Sequence, residues 1–450
     1  MRMQRSCDHH TAPQRGRRWI ALVTRLRRPS RSASRAAAAV AALCAALVIT
    51  SVIGIGFAEA HPQRHTPLPV ISRNVPAYTN DSCDGVYPAS FANDASYDTQ
   101  WRTCNVPTSL TPMFLAYDLS SVPAASRGRV VVAWYNDPTT NSYDHNFVGI
   151  ARPVGIANDI PAAYTIEGNA ALGGNLPALG WVALASVSGN SYHSRQHVVD
   201  LTGYNWLRMN VTGSDGSPGN QGVFLNLDIH NASTDIDDDW IFFGDSITEA
   251  GMAHNSLAAS GGSGTWAQMI NAARPSYFPA YENGGIGGTL ASDGASRIDT
   301  WLSIFPGSYV GLSYGSNDAG SNIDPTAFYD SYASMVRAVL GSGRIPVIPK
   351  IPWSCNATIQ ANGPALNQQI DALYAAYPGI VRGPDLWAYF QSHPSLLSGD
   401  CLHPTGEGYV GFRQQWVNAM LAGVYKSKTL DPAPVPTPAP TPTPILPPLP

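Results

Sequence analysis

The stretch DDDWIFFGDSITEAGM, residues 237 to 252, decides how the second half of the chain folds. Three acids precede the apolar run Trp240 to Phe243, which leads directly into Gly244-Asp245-Ser246. A short apolar run between polar segments is typical of a buried strand. A serine at the end of such a strand either caps the following helix or is held there as a nucleophile. Motifs further along the chain distinguish the two roles.

Strands and helical segments alternate regularly after residue 240. The strands are three apolar runs: WIFFGDS (240–246), SYVGLSYGSND (308–318) and RIPVIPKIP (344–352). The accompanying helical segments fall near residues 265–273, 290–304, 325–341 and 362–377. This alternation predicts a parallel sheet with helices on both faces, a three-layer α/β domain over residues 237–427. Ligands bind at the carboxyl ends of such strands, where Ser246 and the GSND stretch both lie.

The first half of the chain has a different pattern. From about residue 68 to 232, short alternating runs are separated by Gly, Pro, Asn and Ser clusters; examples are RVVVAWYND, GWVALASV, HVVDL, YNWLRMNVTG and GVFLNLDIHN. Many short strands with turn signals between them predict an all-β sandwich or jelly roll. A chain of 450 residues also exceeds what one hydrophobic core usually supports. We therefore expect an all-β domain at residues 61–236 before the α/β domain.

The first 60 residues have the pattern of an export signal. Arginines precede the apolar run from Ala36 to Phe57, which ends at Ala58-Glu59-Ala60. Small residues two positions apart fit a signal-peptidase site, so residues 1–60 are predicted to be a cleaved signal peptide and the protein to be secreted. The alternative is an uncleaved anchor, since about 20 apolar residues can span a bilayer. The Ala-x-Ala ending favours cleavage, after which no membrane span is expected.

Charge argues against nucleic acid as a partner. Without residues 1–60 the chain has 17 basic and 29 acidic residues, a net charge near −12. Such a surface repels phosphate backbones. The acids Asp235, Asp237, Asp238 and Asp239 could bind calcium in principle, but we favour a solvated linker there. We predict no metal site and no cofactor, and expect a monomer.

Four cysteines remain after cleavage of the signal: Cys83, Cys104, Cys355 and Cys401. An even number of thiols in an oxidising compartment usually means disulfides. Three connectivities are possible. We favour Cys83–Cys104 and Cys355–Cys401, because each pair then lies inside one predicted domain.

The end of the chain, residues 428–450, is rich in proline and threonine. Such a composition cannot form a helix or a sheet ladder and predicts an extended, semi-rigid spacer. The alternative is a disordered end.

Four short blocks lie in order along the predicted α/β domain: GDSIT (244–248), NGGIGG (283–288), GSND (315–318) and DCLHP (400–404). Each is weak alone. Together they resemble the SGNH hydrolases, also called GDSL-type esterases, over roughly residues 238–424. The resemblance implies a flavodoxin-like three-layer fold and hydrolysis of carboxylic esters.

The resemblance also implies a catalytic triad. A serine hydroxyl is a poor nucleophile unless a base accepts its proton, and His403 is the candidate base for Ser246. Asp400, three residues earlier on the same loop, can hold the imidazole in its reactive tautomer. The alternatives are a helix cap for Ser246 and a surface loop histidine for His403.

The family pattern assigns the oxyanion hole to the backbone amide of Ser246, the amide of Gly288 and the side chain of Asn317. Four of the six residues of NGGIGG are glycines, so Gly285 is a second candidate for the glycine position. The same block could also be a tight strand-to-helix turn. Asp245 and Asp318, which flank Ser246 and Asn317, are expected to hydrogen-bond the surrounding loops.

Residues 90–120 resemble the start of a galactose-binding-like jelly roll, a fold whose members often bind glycans. Trp101, Tyr135 and Trp181 could stack on sugars, although the core is the alternative place for each. We therefore predict a secreted carbohydrate esterase of acetylxylan-esterase type that removes acetyl groups from a polysaccharide. The alternatives are a secreted lipase or general carboxylesterase and, in another class, a non-catalytic glycan-binding protein.

Overall fold

The computed structural model describes residues 65–136, 159–215, 222–254 and 264–426, all within one compact unit. The predicted signal peptide and the Pro/Thr-rich tail lie outside the described residues. No helix among the described residues combines the length and apolar character needed to cross a membrane.

Short β-strands dominate the first half of the chain. The described residues before 236 contain nine strands: β1 (Ala77–Thr79), β2 (Trp101–Thr103), β3 (Met113–Asp118), β4 (Arg129–Tyr135), β5 (Pro161–Asn169), β6 (Val182–Val187), β7 (Ser194–Asp200), β8 (Trp206–Ser214) and β9 (Val223–Asn231). Single 3₁₀ turns lie at Ala89–Ala92 and Ala124–Ser126.

These strands form two antiparallel sheets. The order is β1-β3-β8-β5-β6 in the five-stranded sheet and β2-β9-β4-β7 in the four-stranded sheet. Alternate residues of β4, Val130, Val132 and Trp134, pack in one core with Leu207 and Met209 of β8. The period-2 pattern therefore builds the interior of a sandwich, and the predicted all-β sandwich is confirmed.

Two of the three aromatic residues considered for sugar stacking are interior residues. Trp101 is fully buried in the sandwich core. Tyr135 is also buried, on the face of β4 opposite that core. Trp181, immediately before β6, is only half-buried.

The second half contains the strands β10 (Asp239–Gly244), β11 (Ala280–Gly285), β12 (Tyr309–Ser313), β13 (Ile345–Lys350) and β14 (Val381–Asp385). Its described helices are α1 (Ser246–Gly251), α2 (Trp266–Ala273), α3 (Ala291–Ile304), α4 (Ser316–Gly320), α5 (Pro325–Gly341), α6 (Ala357–Ala376), α7 (Leu386–Ser392) and α8 (Gly406–Gly423), with a 3₁₀ turn at Pro394–Leu396.

The five strands form one parallel sheet in the order β11-β10-β12-β13-β14. Successive residues of the central strand β10 face opposite layers. Ile241 and Phe243 pack with α3, α5 and α6, whereas Trp240 and Phe242 pack with α1, α2, α7 and α8. Because β10 is buried on both faces, its sequence is a continuous apolar run rather than an alternating one. The predicted three-layer α/β architecture is confirmed.

Several elements differ from the sequence prediction. Strands β11 and β14 and helices α7 and α8 were not predicted. The sequence of β11, AYENGG, and that of β14, VRGPD, contain glycine, charge or proline in place of an apolar run. Helix α6 begins five residues before the predicted segment, because the Asn356 side chain accepts hydrogen bonds from the amides of Thr358 and Ile359 and caps it there.

The expectation of a solvated acidic linker is wrong for two of its four acids. Asp238 and Asp239 are fully buried. Asp238 Oδ1 lies 2.9 Å from His65 Nε2 and accepts a hydrogen bond of 2.6 Å from the Tyr425 hydroxyl. Burial of an ionisable group requires such partners, and these come from segments far away in sequence, which a local pattern does not contain.

Candidate active site

Ser246 follows the carboxyl end of β10 as the first residue of α1. The capping role belongs to its neighbour: the Asp245 carboxylate accepts a hydrogen bond of 3.0 Å from the Ile247 amide. The Ser246 hydroxyl is therefore not used as a helix cap. The backbone amide of Ser246 lies in the first turn, where amides have no intrahelical acceptor.

The Ser246 hydroxyl instead contacts His403, 157 residues further along the chain. Ser246 Oγ lies 2.8 Å from His403 Nε2. On the other side of the ring, His403 Nδ1 lies 2.6 Å from Asp400 Oδ2. An ionised Asp400 favours the tautomer with the proton on Nδ1, which leaves Nε2 to accept the serine proton. This chain of contacts can activate the hydroxyl for attack on a carbonyl carbon.

A tight loop before α8 holds Asp400 and His403 together. Asp400 Oδ1 accepts hydrogen bonds from Ser398 Oγ at 2.7 Å, from the Leu402 amide at 2.9 Å and from the His403 amide at 3.0 Å. Partial burial raises the pKa of Asp400, but the hydrogen bonds from Ser398 and His403 outweigh it and hold that pKa well below its ordinary value. The carboxylate therefore stays ionised at neutral pH.

The same loop is fixed to the segment that follows the carboxyl end of β13. Cys401 is disulfide-bonded to Cys355, in the segment between β13 and α6, and its carbonyl oxygen accepts a hydrogen bond from Ser354 Oγ. Cys83 and Cys104 form a second bond, inside the sandwich half. Both pairs are those that the sequence analysis favours.

The two oxyanion candidates beyond Ser246 lie in adjacent loops. Gly288 follows β11 and has a φ of +75°, a left-handed conformation that favours glycine. Asn317 lies in α4, and its side-chain amide donates a hydrogen bond of 3.0 Å to the carbonyl oxygen of Thr289. The side-chain amide of Asn317 therefore holds the loop that carries the backbone amide of Gly288.

Gly285, the second candidate for the glycine position, is the last residue of β11. A Cβ atom on Gly285 would lie 2.2 Å from the backbone nitrogen of Glu249 in α1. Gly285 is thus needed for close packing of strand against helix, whereas a Cβ on Gly288 would meet no atom within 4 Å. This difference favours Gly288 as the donor.

Two buried carboxyl groups flank the site. Asp318 accepts hydrogen bonds from the Ala291 amide, 3.2 Å from each oxygen, and so ties α4 to the start of α3. Burial raises the pKa of Asp318 to about 6. Burial, with a further contribution from the charge of Asp318, raises the pKa of Asp245 to about 7. Asp318 therefore hydrogen-bonds a neighbouring segment, as expected, whereas the Asp245 carboxylate hydrogen-bonds the first turn of the helix that it caps.

Ser398 and Ser354 support the loop of Asp400 and His403, yet sequence reasoning did not identify either residue. Ser398 lies two positions before Asp400, and serine is common in loops, so its position was only a weak signal. Ser354 contacts Cys401 across 47 positions, and no local signal exists for such a contact. Within the ranges that the structure describes, no three His, Cys, Asp or Glu side chains come together as a metal site.

Comparison with known proteins gives one family match. The model of the GDSL-like lipase/acylhydrolase family matches residues 242–410. No curated protein matches the chain.

Several solved structures are similar to parts of the chain. A lipase/acylhydrolase from Enterococcus faecalis is 21% identical, with 41% of this chain covering 95% of that one and a TM-score of 0.35. A catalytic mutant of an acetylxylan esterase from Geobacillus stearothermophilus is 16% identical. The match covers 40% of this chain and 93% of the esterase, with a TM-score of 0.33. A chitosan-binding module of a Paenibacillus chitosanase/glucanase is 17% identical. The match covers 36% of this chain and 97% of that module, with a TM-score of 0.26.

Proposed function

Because residues 242–410 form a domain of the GDSL-like lipase/acylhydrolase family, we propose that the protein is a serine esterase that hydrolyses carboxylic esters through an acyl-enzyme. The contacts of His403 carry this proposal. Its two ring nitrogens lie 2.8 Å from Ser246 Oγ and 2.6 Å from Asp400 Oδ2. These distances are within hydrogen-bond reach, as general-base catalysis requires.

In the first half of the reaction, Ser246 Oγ attacks the carbonyl carbon of the ester while His403 Nε2 takes the hydroxyl proton. The carbonyl oxygen becomes an oxyanion, which the amides of Ser246 and Gly288 and the side chain of Asn317 stabilise. The carbon–oxygen bond to the alcohol then breaks, and His403 returns the proton to the departing oxygen. The acyl group remains esterified to Ser246.

In the second half, water attacks the acyl carbon while His403 again accepts a proton. The bond from the acyl carbon to Ser246 Oγ breaks, the proton returns to Oγ, and the carboxylic acid leaves. Asp400 remains ionised throughout and stabilises the imidazolium that forms twice in each cycle. Its lowered pKa suits this role.

We further propose that the esters are acetyl groups on a polysaccharide and that the protein is exported. The support is the β-sandwich that accompanies the hydrolase fold, the signal-like segment at residues 1–60 and the two disulfides. A lipase or a general carboxylesterase of the same family would act on other esters by the same steps.

Acetate release from acetylated xylan tests this substrate. Purified protein is incubated with 4-nitrophenyl acetate, acetylated xylan, acetylated pectin and a triglyceride, with the Ser246→Ala variant as the control for each. We expect turnover of 4-nitrophenyl acetate and acetate release from at least one polysaccharide. Turnover of the triglyceride alone would replace the polysaccharide proposal by a lipase, and no Ser246-dependent turnover of any ester would overturn the esterase proposal.

A further inference from the structure

The segment of residues 170–181, which joins β5 to β6, covers one end of the outer face of the five-stranded sheet. Side chains of the sheet hold its backbone. Tyr78 donates to the Gly174 carbonyl at 3.0 Å, Trp206 to the Leu172 carbonyl at 3.2 Å and Asn169 to the Leu179 carbonyl at 2.9 Å. The segment therefore has a fixed conformation, anchored through its backbone.

Two leucines of this segment point to solvent. Leu172 is 86% exposed and Leu179 is 85% exposed, and Val182 at the start of β6 is 47% exposed. Single exposed apolar residues are ordinary. Two of them on one fixed segment and a third directly after it, beside a half-buried tryptophan, form the kind of patch that marks a contact surface.

Trp181, at the end of the segment, is held over the neighbouring sheet face. The Arg208 guanidinium carbon lies 4.2 Å from the centre of the Trp181 ring and 5.5 Å from that of Phe114. Arg208 Nε in turn donates a hydrogen bond of 2.6 Å to Glu167. The ion pair fixes the guanidinium, and the guanidinium orients the two rings.

A polar group for a ligand lies next to these rings. Asn210 is the cross-strand neighbour of Phe114 on one side and of Thr165 on the other. It is half-buried, and its side-chain amide makes no hydrogen bond to any other residue that the structure describes. An amide can both donate to and accept from hydroxyl groups.

The charge of this region indicates an uncharged partner. Residues 168–194 contain no Asp, Glu, Lys or Arg, and the charge of Arg208 is neutralised by Glu167. Binding to anionic lipid surfaces usually depends on clusters of Lys and Arg. A sugar ring presents an apolar C–H face to an aromatic ring and hydroxyls to an amide, which matches the groups found here.

We infer that the Trp181 surface, formed by Leu172, Leu179, Trp181, Phe114, Arg208 and Asn210, binds a neutral polysaccharide chain. The choice of polysaccharide over another uncharged polymer rests on the proposed function. The binding itself is independent of Ser246, because every residue of the Trp181 surface belongs to the sandwich half.

Sedimentation with insoluble xylan and with cellulose tests this inference, using the full chain with Ser246→Ala so that the polymer is not altered. Trp181→Ala should weaken binding on the order of tenfold or more, as expected for an aromatic anchor. Leu179→Ala and Asn210→Ala should weaken it less. The matched control is Leu110→Ala, since Leu110 is 92% exposed in the loop before β3, outside the Trp181 surface.

The same substitutions with Ser246 intact should leave hydrolysis of 4-nitrophenyl acetate unchanged, which shows that the hydrolase half is folded. If Trp181→Ala lowers the melting temperature, the exposed Leu179 provides the second test. The inference is overturned if the chain binds neither polymer, or if Trp181→Ala and Leu179→Ala both bind like Leu110→Ala. It is also overturned if Trp181→Ala abolishes binding to phosphatidylcholine vesicles but not to xylan or cellulose. Trp181-dependent binding without ester hydrolysis would refute the esterase alone.

Discussion

Asp245 and Ser246 divide two roles that either residue could have filled. The Asp245 carboxylate caps α1, and the Ser246 hydroxyl is left to contact His403. Sequence alone left both roles open for the serine, because the contact with His403 spans 157 residues. The family resemblance, rather than any local rule, favoured the nucleophile.

Substitution of the triad residues should abolish or reduce hydrolysis to different degrees. Ser246→Ala removes the nucleophile, so its kcat for 4-nitrophenyl acetate should fall to background. His403→Ala removes the base, so its kcat should fall nearly as far. Asp400→Asn should be milder, because an asparagine oxygen can still accept the amides of Leu402 and His403. Circular dichroism is the control for folding. Residual turnover above a few per cent for Ser246→Ala would identify another nucleophile.

Asn317→Ala should lower kcat on the order of a hundredfold or more while changing KM little, because the amide meets charge that develops in the transition state. Steady-state kinetics with 4-nitrophenyl acetate separates the two parameters. Since Asn317 also holds the Thr289 carbonyl, Thr289→Ser serves as a control that keeps this backbone contact. Little loss in kcat/KM would place Asn317 outside the oxyanion hole.

The buried carboxyl of Asp245 should make folding stability depend on pH. Its pKa is raised to about 7 in the folded chain, above the value near 4 of an unfolded aspartate. The folded state then binds more protons than the unfolded state between about pH 4 and 7, so ionisation of Asp245 lowers the free energy of unfolding as pH rises through that window. The slope from this group is at most about 1.4 kcal/mol per pH unit.

Urea unfolding from pH 4 to 8 measures this dependence in the wild type and in Asp245→Asn. Asparagine keeps the cap but does not titrate, so the variant should lose stability less steeply with rising pH. If the free energy of unfolding changes with pH equally in the two proteins, the pKa of Asp245 is not raised in the folded chain.

Among the elements, the loop before α8 depends on contacts outside itself. It carries Asp400 and His403 and is bonded to the β13–α6 connection through Cys355–Cys401. A displacement of about 1 Å in a catalytic group can cost about a hundredfold in rate. We therefore expect loss of this bond to lower activity more than it disturbs the fold.

The double variant Cys355→Ser/Cys401→Ser should lose activity toward 4-nitrophenyl acetate while keeping its circular dichroism spectrum. Cys83→Ser/Cys104→Ser is the matched control and should retain activity, because its bond lies in the sandwich half. Equal activity losses in the two variants would argue against loop anchoring. Peptide mapping without reduction checks the pairing, and a Cys355 peptide linked to Cys83 or Cys104 would contradict it.

The predictability of the elements follows their composition. Strands β10, β12 and β13 were predicted because apolar residues fill them. Strand β11 was missed because it ends in Asn283-Gly284-Gly285, which resembles a turn, although the parallel pairing with β10 holds these residues in the sheet. Helix α8 was also missed: aromatic residues and four glycines occur along it, and its burial against the sheet overrides their weak helix propensity.

At the scale of the whole molecule, the two halves share a buried surface. The His254 ring stacks between Tyr135 of the sandwich and Tyr281 of β11, with centroids 3.8 and 4.0 Å away. The sequence predicted two domains with a boundary at residue 236, and that boundary stays a prediction. Contact of this kind could not be predicted, because the apolar face of β4 gave no sign of its partner.

Tyr135→Ala should destabilise both halves together. Loss of a fully buried aromatic side chain typically costs about 3–5 kcal/mol, and here the cavity opens between the halves. Calorimetry should show one transition at a lower temperature, and ester hydrolysis should disappear at that same temperature. Tyr204→Ala, at a half-buried site of the sandwich, is the control with a smaller shift. A sandwich transition that moves while hydrolysis persists would mean that the halves unfold independently.

The buried Asp238 binds His65 and Tyr425, which lie near the two ends of the described chain. It precedes β10, whereas Ser246 follows that strand at the opposite edge of the sheet. His65 and Tyr425 therefore lie at the amino end of β10, and the candidate site lies at its carboxyl end. We therefore expect a resin or electrode coupled next to His65 or Tyr425 to lie away from Ser246, which leaves the path of the ester from the liquid open.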